Sequence, residues 1–202
     1  MRAAISVVMA MRHCKKLGPA ALPTLWLMTD PRIAESALIR ALYRLPRGAG
    51  VIFRHQGWPP DRRRALFDIV RGVTRRRALC LLLAGEARVA RAWGADGWHG
   101  RHGAAPGVRR GLLHSAPVHD VPQIRSAERS GAQLLLLSPI FPTRSHPGAP
   151  VLGRVRFAML LRRARRPVIA LGGMTARRWR SLRAVGATGW AAIDALAAES
   201  HP

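Results

Sequence analysis

A chain of 202 residues, 49% of them hydrophobic, can fill one domain with a buried core, which excludes a disordered polymer. No apolar run approaches the roughly 20 residues that span a bilayer, so no membrane partner is expected. The net charge of +24 rests almost wholly on arginine, since lysine occurs only at positions 15 and 16.

In chain order, MRAAISVVMAMRHCKK has a short apolar stretch among basic residues and no small-residue cleavage site, so 1–22 reads as a poorly ordered N-terminal extension before a domain over 23–202. TLWLMTD (24–30) is the first strand candidate. A helix over 35–45 follows, with Leu38, Ala41, Leu42 and Leu45 at i, i+3, i+4 and i+7 on one face. GVIFRH (50–55) is the next strand, and Pro59-Pro60-Asp61 opens a helix that runs to 77. ALCLLLA (78–84) is a strand, and a helix over 86–93 closes at Gly94. DGWHG (96–100) and LLHSAPVH (112–119) are strands, and Asp120 caps a helix that ends before Gly131.

AQLLLLSPIF (132–141) begins as a strand without alternation, the mark of burial on both faces. Its prolines then lack donors and stop both sheet and helix, leaving a stiff loop with Thr143, Arg144, Ser145 and His146. A helix over 154–166 leads to PVIALGG (167–173); Thr175 caps a helix over 175–185, closed by Gly186, and TGWAAID (188–194) is the last strand. The short tail after Leu196 truncates the final helix.

Eight strand candidates with helices between most of them predict an α/β fold, an eight-stranded parallel (β/α)8 TIM barrel. A doubly wound open sheet is the alternative, but no Gly-rich dinucleotide loop follows the first strand. The arginines fall into separate groups, 62–64, 75–77, 162–166 and 177–183, without aromatic interleaving or a helix-turn-helix signal. Solvated helix faces explain them better than a nucleic-acid partner, while the charge favours small anions at any suitable pocket. Cys14 and Cys80, without metal spacing, suit a reducing, cytoplasmic setting.

In a barrel, ligands meet the residues where strands end. Those positions include Asp30, Arg54, His55, His99, His119, Thr143 to His146, Gly172, Gly173 and Asp194. Gly172 and Gly173, before a helix start, fit either a phosphate cradle or a tight turn with no ligand. Arg54 fits a bidentate phosphate contact or an ordinary surface position. His119 fits a proton shuttle or a structural histidine. His99 and His102 lack companions for a metal site, so no metal is expected.

Four segments, 94-GADGWH-99, 138-SPIFPTRSH-146, 170-ALGGMTARR-178 and 186-GATGWAAIDAL-196, together resemble the thiamine phosphate synthase and thiazole tautomerase superfamily from Leu25 to about Leu196. The resemblance implies an eight-stranded barrel in thiamine biosynthesis that binds a phosphorylated thiazole-type ligand. The synthase branch joins a pyrimidine diphosphate to thiazole phosphate, releasing pyrophosphate with magnesium. Where its pattern has Gln, Arg and Lys after strand two, this chain has Ile52, Arg54 and Gln56. Ala84, Gly85 and Glu86 replace Asn-Asp-Arg after strand three, and Ala104 stands where a second magnesium carboxylate belongs.

The Thr-x-Thr-Lys loop becomes Thr143, Arg144, Ser145 and His146, and a serine near the thiazole phosphate becomes Asp194. A carboxylate about 4 Å from a phosphate would cost about 4 kcal/mol at an effective dielectric near 20. By this resemblance the anionic end is assigned to Arg54, Thr143, Ser145, His146, Gly172 and Gly173, and acid/base work to His119, without a cofactor. The departures tilt the expectation towards tautomerase-like proton transfer, with an altered synthase and a catalytically silent barrel as alternatives.

Overall fold

The computed structural model describes residues 22–144, 148 and 150–197. The expected N-terminal extension therefore lies outside the described residues, apart from Leu22, as do Ser145 and His146. Eight parallel strands close into a barrel in sequence order: β1 (Leu25–Met28), β2 (Gly50–Phe53), β3 (Cys80–Ala84), β4 (Gly97–His99), β5 (Leu113–Val118), β6 (Leu134–Leu137), β7 (Val168–Ala170) and β8 (Gly189–Ala192). Closure is made by β1 on β8, where Leu25 pairs with Trp190 and Leu27 with Ala192.

The helices between them are α1 (Glu35–Arg44), α2 (Pro60–Arg77), α3 (Ala87–Trp93), α4 (Pro106–Arg109), α5 (Val121–Arg129), α6 (Gly153–Leu161) and α7 (Ala176–Arg183), with α8 (Asp194–Ala197) after the last strand. Each strand-to-helix connection lies at the C-terminal end of the strand, so these loops gather at one mouth of the barrel.

Burial on both faces follows from the period of two. Trp26, Met28, Ile52, Leu82, Leu134, Leu136 and Ile169 point inward and fill the barrel. Their neighbours, including Leu27, Val51, Leu81 and Leu83, pack outward under the first helices. Leu135, Leu137 and Val168 do the same under the later ones. Trp26 can sit inside because its indole N–H donates to Pro23 O at 2.7 Å.

Several local signals act as their chemistry requires. Asp120 accepts the Gln123 N–H at 2.8 Å to start α5, and Thr175 accepts the Arg178 N–H at 3.2 Å to start α7. Two features lacked a sequence signal. The single turn of α4 has too few residues for an apolar period, and α2 ends at Ala78 with φ 53, a left-handed position more often filled by glycine. The sixth strand, expected over 132–141, is confined to Leu134–Leu137, because Pro139 has no N–H to continue the ladder. Among the described residues, no helix is long and apolar enough to cross a membrane.

Candidate functional site

Strand parity decides which side chains enter the mouth. Arg54 shares the inward parity of Ile52, His99 that of Gly97, and His119 that of Pro117. These three line a cavity of about 950 Å³, together with Met28, Ser138 and Leu171. A smaller cavity of about 180 Å³ adjoins it, sharing Leu171 and lined by Thr143, Arg144, Gly172, Gly173 and Asp194. The expected site residues that are described thus divide between two chambers, Arg54 and His119 in the larger, Thr143, Gly172 and Gly173 in the smaller.

His119 is held by one bond that fixes its tautomer. Its Nδ1 lies 2.6 Å from the carbonyl oxygen of Ser138, which can only accept, so Nδ1 carries the hydrogen. In the neutral ring this leaves the lone pair on Nε2, in the residue that lines the larger chamber. His99 pairs its Nδ1 with Ser115 Oγ at 2.9 Å. Burial, followed by the charge of Arg54, pushes the His99 imidazole down to about 3, so it acts as a neutral group at ordinary pH.

The end of β1 supplies what sequence reading left without a role. Asp30 is 3% exposed and receives Arg32 Nε at 2.8 Å on one oxygen and Arg32 Nη2 at 3.0 Å on the other. Arg54 Nη2 lies 3.6 Å from the second oxygen. Burial would raise the Asp30 carboxyl, but hydrogen bonds and charge from Arg32, with the charge of Arg54, hold it below the usual carboxylate value.

Thr29 Oγ1 accepts the Arg54 N–H at 2.9 Å and contacts His55 Nδ1 at 3.1 Å. His55 is buried, stacked on Phe53 with ring centroids 4.8 Å apart. It faces the core and lines neither chamber, so its polar position after a strand reflects packing. Arg63, on α2, donates to Arg54 O at 2.9 Å and Ala84 O at 2.7 Å, tying the ends of β2 and β3 together. Nothing in the sequence separates Arg63 from its neighbours at 62 and 64; only the helix's rotation selects it.

The two glycines answer to close backbone approach. A Cβ on Gly172 would lie 2.7 Å from Pro139 Cα, and one on Gly173 would lie 2.4 Å from Pro142 O. The loop after β6 runs against them, Ile140 N–H donating to Leu171 O at 3.0 Å and Phe141 N–H to Gly172 O at 3.1 Å. The tight-turn reading therefore has a structural basis by itself, and the turn also forms a wall of the smaller chamber beside the start of α7. Asp194 is not left facing an anion alone: Arg144 Nε lies 3.3 Å from its Oδ2. Arg178, anchored to Gly173 O and over the Phe141 ring at 4.8 Å, adds a further cation.

Magnesium, which the synthase resemblance implies, needs hard oxygen ligands. Glu86 is the carboxylate lining the larger chamber, and among the described residues no three His, Cys, Asp or Glu side chains converge as a metal-ligand set. These residues do not fit the ion.

Residues 25–196 match the family model described as thiamine monophosphate synthase. The chain is 33% identical to the thiamine-phosphate synthase of Salinispora arenicola, over 91% of this chain and 93% of that one. It is 30% identical to that of Mycobacterium tuberculosis, over 88% and 89%. Among solved structures, the thiamine phosphate pyrophosphorylase of Pyrococcus furiosus superposes with a TM-score of 0.73 at 24% identity, covering 89% of each chain, which shows the shared fold. These relatives carry synthase names, which backs the synthase alternative better than the tautomerase emphasis drawn from the sequence.

Proposed function

Because the chain belongs to the thiamine monophosphate synthase family, we propose that its barrel mouth joins a pyrimidine diphosphate to a thiazole phosphate and releases pyrophosphate. One observation carries this reading above a single-substrate isomerase: two chambers of about 950 and 180 Å³ meet at Leu171. A condensing enzyme must hold two molecules end to end, and this division suits that task.

In this reading the smaller chamber takes the thiazole phosphate against Thr143, Gly172, Gly173 and the positive end of α7. Ser145 and His146 lie outside the described residues and are assigned to the anionic end on sequence alone. The larger chamber takes the pyrimidine. Arg54 faces its diphosphate and stabilises the charge that grows as the leaving group departs. The Nε2 lone pair of His119 accepts a hydrogen bond or proton from the bound pyrimidine.

The test incubates the purified chain with both substrates, with and without magnesium, and follows thiamine phosphate and pyrophosphate. Turnover by the wild type, reduced roughly 100-fold or more in Arg54→Ala, is expected for loss of one charge-stabilising donor. Absence of product from folded protein would reject the synthase reading. A tautomerase-like second reading draws support from the fixed tautomer of His119, and predicts His119-dependent proton exchange on a thiazole carboxylate phosphate.

A further inference from the structure

Charged groups at the mouth are linked in a chain of contacts. Arg54 lies at Asp30, and Asp30 holds Arg32 through both oxygens. Arg32 Nη1 reaches the carbonyl oxygen of Arg144 at 3.4 Å, and Arg144 meets Asp194. The chain crosses from the larger chamber, which Arg54 lines, to the smaller one, which Arg144 lines. Three guanidinium groups stand against two carboxylates along it. Arg32 and Arg144 remain 48% and 80% exposed in their side chains, so a ligand at the mouth can reach them.

We infer that this mouth compensates phosphorylated ligands with guanidinium groups in place of a divalent cation, and that Arg32 and Arg144 join Arg54 as anion contacts. The inference rests on reading the mouth as a phosphate site. Among the described residues one carboxylate, Glu86, lines the larger chamber, too few for a cation that bridges pyrophosphate through several hard oxygen ligands. The alternative is already built in. A planar guanidinium matches two phosphate oxygens and stays charged at any working pH. Asp30, nearly without solvent access, fixes the orientation of Arg32 through its fork while leaving the side chain at the surface. Arg144 is already held at Asp194, so an arriving anion meets a guanidinium in place while the carboxylate keeps its counter-charge.

The two schemes predict opposite signs for magnesium. In a metal-bridged site, magnesium tightens pyrophosphate binding. In a guanidinium site it weakens binding, because it neutralises the same oxygens that the arginines need. Isothermal titration of the full chain with inorganic pyrophosphate, at fixed ionic strength, compares EDTA with excess magnesium. Binding in EDTA that weakens with magnesium is expected, with a further loss of about tenfold in Arg32→Gln and in Arg144→Gln, the scale of one charge-assisted contact. Arg75→Gln, exposed on α2, removes the same charge far from the mouth and should leave binding unchanged.

Arg32→Gln leaves Asp30 less well compensated, so melting of each variant is followed in parallel. If that variant unfolds, Arg144→Gln decides, since Arg144 is largely solvent-exposed. Binding that requires or is tightened by magnesium, or that is unchanged in the folded variants, overturns the inference while the phosphate-site reading stands. A wild-type chain that binds pyrophosphate under neither condition overturns both.

Discussion

Replacing Gly172 by alanine tests whether the turn after β7 is shaped by the loop after β6. Gly172 has φ +96, and its added Cβ would lie 2.7 Å from Pro139 Cα, 2.8 Å from Pro139 Cβ and 3.0 Å from Ile140 N. Carbon atoms pack best about 3.5–4.0 Å apart, so the loop must retreat by about 1 Å. These are ring and backbone atoms and cannot rotate away. Overpacking of this kind costs about 1–3 kcal/mol, and an alanine forced to positive φ costs about 1–2 kcal/mol more. The expected loss is therefore about 3 kcal/mol.

For a domain of this size, each kcal/mol lowers Tm by about 2–4 °C, which gives roughly 6–12 °C by circular dichroism. Gly48→Ala is the matched control. Gly48 also has positive φ, +80, but nothing lies within 4 Å of its Cβ position, so only the backbone term applies. Equal Tm losses in the two variants, or a Gly172→Ala shift below about 2 °C, would refute the close-approach argument.

Thr29→Val keeps the shape of a fully buried side chain but strips the acceptor from the Arg54 N–H and the contact from His55 Nδ1. Urea denaturation should show a loss of about 2 kcal/mol, and a loss within error would mean that the hydroxyl contributes nothing there. Arg63→Met should lower Tm and weaken pyrophosphate binding together, because it releases the carbonyls of Arg54 and Ala84 at once. Loss of stability with binding unchanged would assign Arg63 to the fold alone.

Acid stability follows from the buried histidines. Burial pushes His55 down from 6.5 to about 4 and His99 to about 3, so the unfolded chain binds protons near pH 6.5 that the folded chain refuses. Stability should be level above about pH 6.5 and fall as pH drops towards 4, each histidine adding at most about 1.4 kcal/mol per pH unit. His55→Asn, suited to the local φ of 51, should remove one share of that slope. An unchanged slope would show that His55 titrates normally.

Local rules in the sequence pointed to the eight strands and to every helix between them except the single turn of α4, because burial on both faces, caps and the helical period are written over a few neighbouring residues. Closure of the sheet was the simpler of two arrangements that these rules allowed. They also brought Arg54, His119, Gly172 and Gly173 to the mouth, since strand ends can be read from where apolar runs stop. The family pattern exposed the missing magnesium carboxylates. Tertiary structure decided the rest. Asp30 gained its importance from Arg32 and Arg54 converging on it, Arg63 was selected from three adjacent arginines by helix rotation, and Asp194 met Arg144 across 50 residues of chain. Charge pairing depends on distances between strand ends in space, and a one-dimensional pattern of arginines does not carry those distances.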